Sequence, residues 1–597
     1  MLTSLINGDD HSYHERDGNR CCGFSAGVLE LTCAVGDNRR SSMLNTMLTL
    51  LSAEMIDKYT RSGFWRDHTI YRLAASRAAA RPRAAAVRDR SRRLSYGELV
   101  ASADALAADL AGSGVRAGQR VAVWLPSRVE TAVALLACSR NGYVCCPSLH
   151  RDHTVDEIVA LVERMRAAAV IAQPGYGADS DRRDIFVALE GRDYIRGRYS
   201  VPGDVAGALP FAGLLRKDEV PSELNSDPNR VIYLPFTSGT TGMPKGVMHS
   251  DNTLLANARA LTADWNITAA SVIYTLSPLS HNLGLGALIA AIAVGGELVV
   301  HDLPRGHSLL DRLIETGATF LFGVPTHAID LLTELRSRNA ARLGSVTGFR
   351  ISGAAATPEV ITELMRYGVM PQSGYGMTET CSHQYTLPSD DPRMIAETCG
   401  RACPGFETRI WRQDNPNVEA EMGEIGQIGA RGASLMLGYY GDQIATEEAF
   451  NAHGWFLTGD LGWVDASGFL RITGRKKDVI IRGGRKIYPA RIEELAMRHE
   501  AIDKVAAFGV TDDRLGERVC LAMMMRDGRS LDDMAVLDHL NRSGLSRYDM
   551  PEYLLTIDAM PLTASGKIAK RELAERVSIG QLSPRPVHFR ARTTANA

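Results

Sequence analysis

The sequence predicts an α/β protein in which a large N-terminal domain of α/β sheets is followed by a small α+β domain. Three observations carry this. Helical stretches of roughly ten to eighteen residues alternate with short β-branched strands, the pattern of parallel βα units. That alternation breaks at "GEIGQIGARGASLMLGYY" (Gly423–Tyr440), which reads as short antiparallel strands. A glycine- and lysine-rich stretch, Ile472–Glu494, then precedes a further unit with its own helices and strands. A chain of 597 residues also exceeds what one hydrophobic core supports.

Residues 1–42 are polar and unpatterned and lack the basic start and apolar core of a secretory signal. They are expected to be a disordered or non-native extension, with Met43 as a start. The large domain is set at 43–474, the small domain at 475–580 and a tail at 581–597. From Tyr71 the pattern is regular: Leu94–Val115 is an amphipathic helix ending at glycine, and "GQRVAVWLP" follows as a strand. "VETAVALLACSRNGYVCCP" and "VDEIVALVERMRAAAVIA" repeat the alternation, whereas 172–230 reads as an irregular connection. After Gly246, "SVIYTLSPLS", "GELVVHD", "ATFLFGVPT", "GFRISGAAA" and "MPQSGYGMTE" each read as a strand running into a loop, where open α/β sheets bind ligands. Leu283–Gly296 is apolar but too short and glycine-rich to span a membrane, so a buried helix is expected. Downstream, helices are expected near 489–499 and 531–543 and strands near 504–510 and 518–525.

Composition narrows the function. A formal net charge of −2 gives no global attraction for nucleic acid or an anionic membrane. The ten cysteines form no CxxC pair, so they read as reduced thiols of a cytoplasmic protein, and Cys399 with Cys403 lacks the second ligand pair of a zinc site.

Local chemistry concentrates in "TSGTTGMPKG" (Thr237–Gly246), which lies between a predicted strand and a predicted helix. Glycines let backbone N–H groups approach an anion, hydroxyls donate to phosphate oxygens and Lys245 supplies charge. The spacing is not that of a Walker loop, and alone such a segment is more often an ordinary loop. Four further segments follow in order: "YGMTE", "TGD", "GRKKD" and "PLTASGK".

With these five motifs the chain resembles the acyl-adenylate-forming superfamily over roughly Tyr71–Arg576, near its aryl-acid, cyclohexanecarboxylate and medium-chain ligases. The resemblance implies a small distorted β-barrel within the large domain and a mobile C-terminal domain. It also implies a two-step reaction. A carboxylate attacks the α-phosphate of ATP to give acyl-AMP and pyrophosphate, and a thiol then displaces AMP. By the same resemblance Thr237, Ser238, Gly239, Thr240, Thr241, Gly242 and Lys245 grip the β- and γ-phosphates. Backbone around Gly353, Ala354 and Ala355 flanks the adenine, and Tyr375 beside Gly376 offers it an aromatic face. Thr378 bonds the α-phosphate, and Glu379 holds Mg²⁺, a hard cation that takes oxygen ligands. Asp460 accepts the ribose hydroxyls, Arg475 assists there, and Lys567 stabilises the charge that shifts in the first step. Lys570 lies close enough to compete for that last role, and the "SGK" context favours Lys567.

The resemblance places the acyl pocket at His281, Asn282, Gly284, Gly323 and Val324, the hinge at Lys477, and the thiol tunnel at Gly483 and Gly484. The His281–Asn282 pair is similar to enzymes that activate aryl acids, while the apolar residues after it also suit an alicyclic ring or fatty chain. ATP, Mg²⁺ and CoA are the implied cofactors and co-substrates. A phosphopantetheinyl carrier protein is the alternative acceptor, and a homodimer remains open. An oxidative luciferase-like enzyme and a non-catalytic nucleotide-binding relative are the rival classes. The presence of Lys245, Glu379, Asp460, Arg475 and Lys567 together disfavours the second.

Overall fold

The computed structural model describes residues 47–202, 211, 224–237, 244–304, 306–354, 356–563 and 567–589. The expectations for 1–42, for Ser238–Gly242 and for Ala355 therefore lie outside the described residues.

Two parallel-rich sheets organise the chain up to Ala402. The first has nine strands. Its central run, Met370–Met377, Gly348–Ile351, Phe320–Gly323, Val272–Thr275, Glu297–Val300 and Ala85–Arg88, pairs in parallel throughout. Cys381–Tyr385 pairs antiparallel to Met370–Met377 and extends the sheet on that side. The second sheet has six strands, with Val144–Cys146, Arg120–Trp124 and Ala167–Ala172 at its centre. These strands are buried throughout, as a sheet covered by helices on both faces requires.

The helices between them follow the local sequence signals. Tyr96–Gly112 begins at a capping box formed by Ser95 and Glu98, and Val155–Met165 at one formed by Thr154 and Glu157. The apolar run expected as a buried helix is one: Asn282–Val294, closed by Gly295 at φ +75°. Among the described residues no helix is long and apolar enough to cross a membrane. The stretch 172–230 is not wholly irregular. It carries a helical turn, Ile185–Ala188, and an edge strand, Gly197–Ser200, too short to leave a periodic signal.

Beyond Cys403, four antiparallel strands pair in sequence order, Phe406–Trp411, Gly426–Gly432, Phe456–Val464 and Leu470–Arg475. Among the described residues they form an open sheet rather than a closed barrel. Four strands are too few to wrap a filled interior. Instead Ile410, Ile428 and Leu470 pack with Tyr375 from the nine-stranded sheet.

The last sheet is built around the long hairpin of Ile502–Asp512 and Gly516–Met525, with Ile480–Arg482, Arg485–Ile487, Tyr553–Thr556 and Arg585–Pro586 completing it. Helices Pro489–Ala496 and Asp533–Arg542 cover one core of its own, through Ile492, Leu495, Val536, Leu537 and Leu540. The seven described cysteines are free thiols.

Candidate active site

Loops at the carboxyl ends of the nine-stranded sheet converge on the open four-stranded sheet. The organising element is the tight reversal from Met370–Met377 into Cys381–Tyr385. A Cβ on Gly376 would lie 1.9 Å from the Cys381 carbonyl oxygen, so only glycine permits this approach. Cys381 itself sits at φ +55°, a left-handed conformation rare for a side-chain-bearing residue. The reversal carries Thr378 and Glu379 between the strands. His249, fully buried at the start of the helix Asp251–Asp264, donates from Nε2 to the Thr378 carbonyl at 2.7 Å. Burial pulls its pKa down to about 4, so the ring is neutral and acts as a fixed donor.

Glu379 is buried, and its Oε1 accepts from the Tyr439 hydroxyl at 3.0 Å. The Lys245 ammonium lies 4.7 Å from the centroid of the same tyrosine ring. Burial raises the Glu379 pKa above the ordinary carboxylate range, while Tyr439, Lys245 and Arg475 oppose that rise. Lys245 is held by a short pairing of Phe236–Thr237 with Lys245–Gly246, which brings the two ends of the Ser/Thr/Gly segment together. The Thr237 hydroxyl donates to the Lys245 carbonyl at 3.4 Å.

Asp460 is the second carboxylate. Its Oδ2 accepts from the Tyr375 hydroxyl at 2.8 Å, and its Oδ1 lies 3.2 Å from Arg475 Nε. Asp460 and Arg475 are directly opposed across antiparallel strands, so backbone register fixes the ion pair. Gly353, at φ +92°, and Ala354 are exposed at the end of the strand Gly348–Ile351.

Lys567 follows the 564–566 segment and is anchored by its backbone, which donates to Thr563 Oγ1 at 3.2 Å and accepts from the Thr563 N–H at 2.7 Å. Lys567 is exposed. Desolvation, with Arg475 and Lys477, lowers its pKa, and Asp460 and Glu379 oppose the fall. Lys567 also contributes to the depressed pKa of His281, about 4, for which burial is the larger cause. Lys570 is separated from it by geometry, because its ammonium pairs with Glu493 at 2.6 Å on the first turn of the helix Lys570–Ser578.

The acyl-side residues are not all equivalent. His281 caps the helix Asn282–Val294, accepting from the Leu283 N–H at 3.2 Å. Asn282 lines a narrow cavity of about 20 Å³ together with Gly286, Phe322 and Arg350. Gly284 is packed against backbone, since a Cβ there would lie 2.2 Å from the Pro278 carbonyl oxygen. Gly323 is hemmed in by His327, Leu276 and Phe349, and the Val324 N–H donates to His327 Nδ1 at 3.2 Å. Lys477 lies in the single turn Lys476–Asp478 linking the open sheet to the last sheet. Gly483 and Gly484 form the exposed tip of the hairpin that follows, both at positive φ, as a two-residue type I′ turn requires. Sequence reasoning missed His249, Tyr439, Arg350 and His383. The first two adjoin quoted motifs, but nothing in their spacing signals that they face Thr378 and Glu379.

A model of the AMP-binding enzyme family matches residues 74–440, and a model of the AMP-binding enzyme C-terminal domain matches 491–567. The chain belongs to the AMP-binding enzyme family. Among curated relatives, it is 32% identical to the indoleacetate–CoA ligase of Aromatoleum aromaticum, covering 84% of this chain and 96% of that protein. It is 28% identical to the medium-chain fatty-acid–CoA ligase of Escherichia coli strain K12, over 86% and 91% of the two chains. The crystal structure of ATP-bound MatB from Rhodopseudomonas palustris superposes with a TM-score of 0.75 at 27% identity, covering 85% of this chain and 99% of that one. No group of three or more His, Cys, Asp or Glu side chains suited to a metal ion occurs among the described residues of this AMP-binding enzyme.

Proposed function

We propose that this AMP-binding enzyme is an ATP-dependent carboxylate–CoA ligase working through an acyl-AMP, in the cytoplasm, on a fatty, alicyclic or aromatic acid. The observation that carries the proposal is the meeting of Lys567 with Asp460, Arg475 and Glu379 in one electrostatic neighbourhood beside His281. A lysine brought from near the C-terminus to a buried carboxylate, a ribose-competent ion pair and an acyl-side histidine matches what adenylation demands.

Each side chain then has a task. Asp460, oriented by Tyr375 and Arg475, accepts the ribose hydroxyls. Tyr375 and the backbone of Gly353–Ala354 bound the adenine. Thr378, steadied through its carbonyl by His249, donates to the α-phosphate, and Lys245 with Thr237 serves the outer phosphates. Lys567 neutralises the α-phosphate oxygens as the carboxylate attacks and pyrophosphate leaves. Glu379 fits Mg²⁺, because one carboxylate plus substrate phosphates and waters is the usual donor set for this ion, and no all-protein cage is needed. The bound ion would neutralise phosphate charge.

The boundary at 474/475 is proposed as the edge of a mobile small domain pivoting at Lys477. Such a rotation would withdraw Lys567 and bring the exposed Gly483–Gly484 tip to the site, where a slender thiol arm passes glycine most easily.

The test is ATP- and Mg²⁺-dependent pyrophosphate release across benzoates, cyclohexanecarboxylates, fatty acids and aliphatic dicarboxylates, with and without CoA. Release that CoA accelerates, with acyl-CoA as product, is the expected result. Release indifferent to CoA would move the acceptor to a carrier protein. Absence of release with every acid would overturn the ligase reading.

A further inference from the structure

A buried cation lines the same cavity as Asn282, and no carboxylate pairs with it among the described residues. Arg350 occupies the strand Gly348–Ile351 and is fully buried. Its Nη1 donates to Gln372 Oε1, directly across the parallel register, and its guanidinium carbon lies 5.4 Å from the Tyr385 ring centroid. Nε and Nη2 have no hydrogen-bond partner among the described residues. These two groups form one edge of the guanidinium plane, the edge that matches both oxygens of a carboxylate.

The surroundings deepen the deficit. The groups that favour the charge of Arg350 are Tyr385 and Cys403, and burial pushes both of their pKa values up, so neither is anionic near neutrality. Tyr385 donates to Asp264 at 2.9 Å, which commits that carboxylate elsewhere. Gln372 Nε2 and both ring nitrogens of His383 are also buried without partners. Burial draws the guanidinium down to about 10 and His383 to about 3. Buried polar groups are ordinarily satisfied, so a cluster of orphan atoms on three adjacent strands points to a missing partner.

A cavity joins Arg350 to Asn282, one residue of the expected acyl pocket. Arg350 lines it together with Asn282, Gly286, Phe322, Asn257 and Ser382. Asn282 follows His281, which shares a field with Lys567. Gly286, one turn further along the helix, leaves open space where a Cβ would stand. A Cβ on Gly374 would lie 3.1 Å from Arg350 Nη2, so glycine there makes room for the guanidinium. At about 20 Å³ the cavity has room for little more than one small polar group, which suits the end of a slender chain rather than a ring.

We propose that the acid activated here carries a second carboxylate at its far end, on a slender aliphatic chain, and that Arg350 pairs with it as the specificity-determining residue. This rests on the ligase reading given above. Gln372 and His383, on the two neighbouring strands, add unpaired buried polar atoms beside Arg350, and Asn282 lines the same cavity.

The experiment compares succinate, adipate and suberate with butyrate, hexanoate and octanoate in ATP-dependent pyrophosphate release. Binding of the same acids is measured by calorimetry without ATP. The wild type should favour its best diacid over the monoacid of equal length by about a hundredfold or more in kcat/KM, as expected where a built polar site meets an analogue lacking its partner. Arg350→Met should bring that ratio to about one or below, and Arg350→Lys, which keeps charge without the planar edge, should retain part of it. Circular dichroism and the thermal unfolding midpoint report that each variant is folded, and the wild-type ratio stands even if one variant is not. Equal use of mono- and diacids by the wild type, or a ratio unchanged in Arg350→Met, overturns the subsite and leaves the ligase reading intact. Diacid binding that depends on Arg350 without any pyrophosphate release supports the subsite and overturns the ligase reading.

Discussion

Replacing Lys567 by alanine separates the two half-reactions that the proposed mechanism assigns to different arrangements of the chain. In the structure the charge of Lys567 is influenced by Asp460, Glu379, Arg475 and Lys477, and in turn acts on His281. Its access to solvent calls for an effective dielectric near 20 rather than that of a dry interior. A unit charge about 4 Å from the charge shifting onto the α-phosphate is then worth roughly 4 kcal/mol. Loss of one preorganised stabiliser elsewhere costs about 2.7–4 kcal/mol, or roughly 10²–10³ in rate. Lys567→Ala should therefore slow acid-dependent pyrophosphate release by that factor, while thioester formation from synthetic acyl-AMP and CoA falls less than about threefold. Rapid-quench measurement of each half-reaction is the assay. The protonated form is the active one and its pKa lies below the ordinary 10.5, so adenylation should fall as pH rises through that lowered value. Thioester formation should lack this alkaline limb. Equal losses in both half-reactions, or an alkaline limb unchanged in the alanine variant, would refute the reasoning.

Three other outcomes follow from the geometry. Glu379 must be ionised to serve Mg²⁺, and burial raises its pKa, so the acid limb of adenylation should lie above the ordinary carboxylate value; Tyr439→Phe, which removes a donor to the carboxylate, should shift that limb to still higher pH in a profile at saturating acid. Gly376→Ala puts a Cβ against the Cys381 carbonyl, and such overpacking should cost about 1–3 kcal/mol, read as a lower denaturant midpoint with weakened AMP binding. Lys477→Pro should leave pyrophosphate release nearly unchanged and slow thioester formation from acyl-AMP, because proline fixes φ at the proposed pivot; an unaffected second half-reaction would remove Lys477 from that role.

What the sequence made legible was what depends on local pattern. The strand-then-loop alternation after Gly246 corresponds to Val272–Thr275, Glu297–Val300, Phe320–Gly323, Gly348–Ile351 and Met370–Met377, and the small unit's helices and long strands fall within a few residues of expectation. Asp460 with Arg475 was readable as motif, although only cross-strand register explains why the two meet. Lys567 against Lys570 could not be decided by spacing. An ion pair supports the Lys567 expectation, because Lys570 is committed to Glu493. The barrel expected from resemblance is an open sheet, whose fourth side is supplied by Tyr375 from a different sheet, a contact with no local signature.

Arg350 shows why the acyl pocket resists sequence reading while the nucleotide site does not. The nucleotide is met by contiguous runs such as "GYGMTE" and "TGD", in which glycines and hydroxyls announce themselves. On the proposal made above, the acid would meet single side chains from separate strands and one helix, such as Asn282, Phe322, Arg350 and Ser382, which line one cavity. In "GFRISGAAA" the arginine reads as the polar member of an alternating strand and so as a solvated residue. In the parallel sheet both faces of that strand are covered, and the same alternation buries the charge completely. A buried guanidinium is costly unless paired and fully hydrogen-bonded. Its retention beside a cavity that Asn282 also lines fits the proposed partner that arrives with the substrate. On this argument the family's common chemistry is written in the loops at the strand ends, and the identity of the acid is written one layer below, in the middle of the strands.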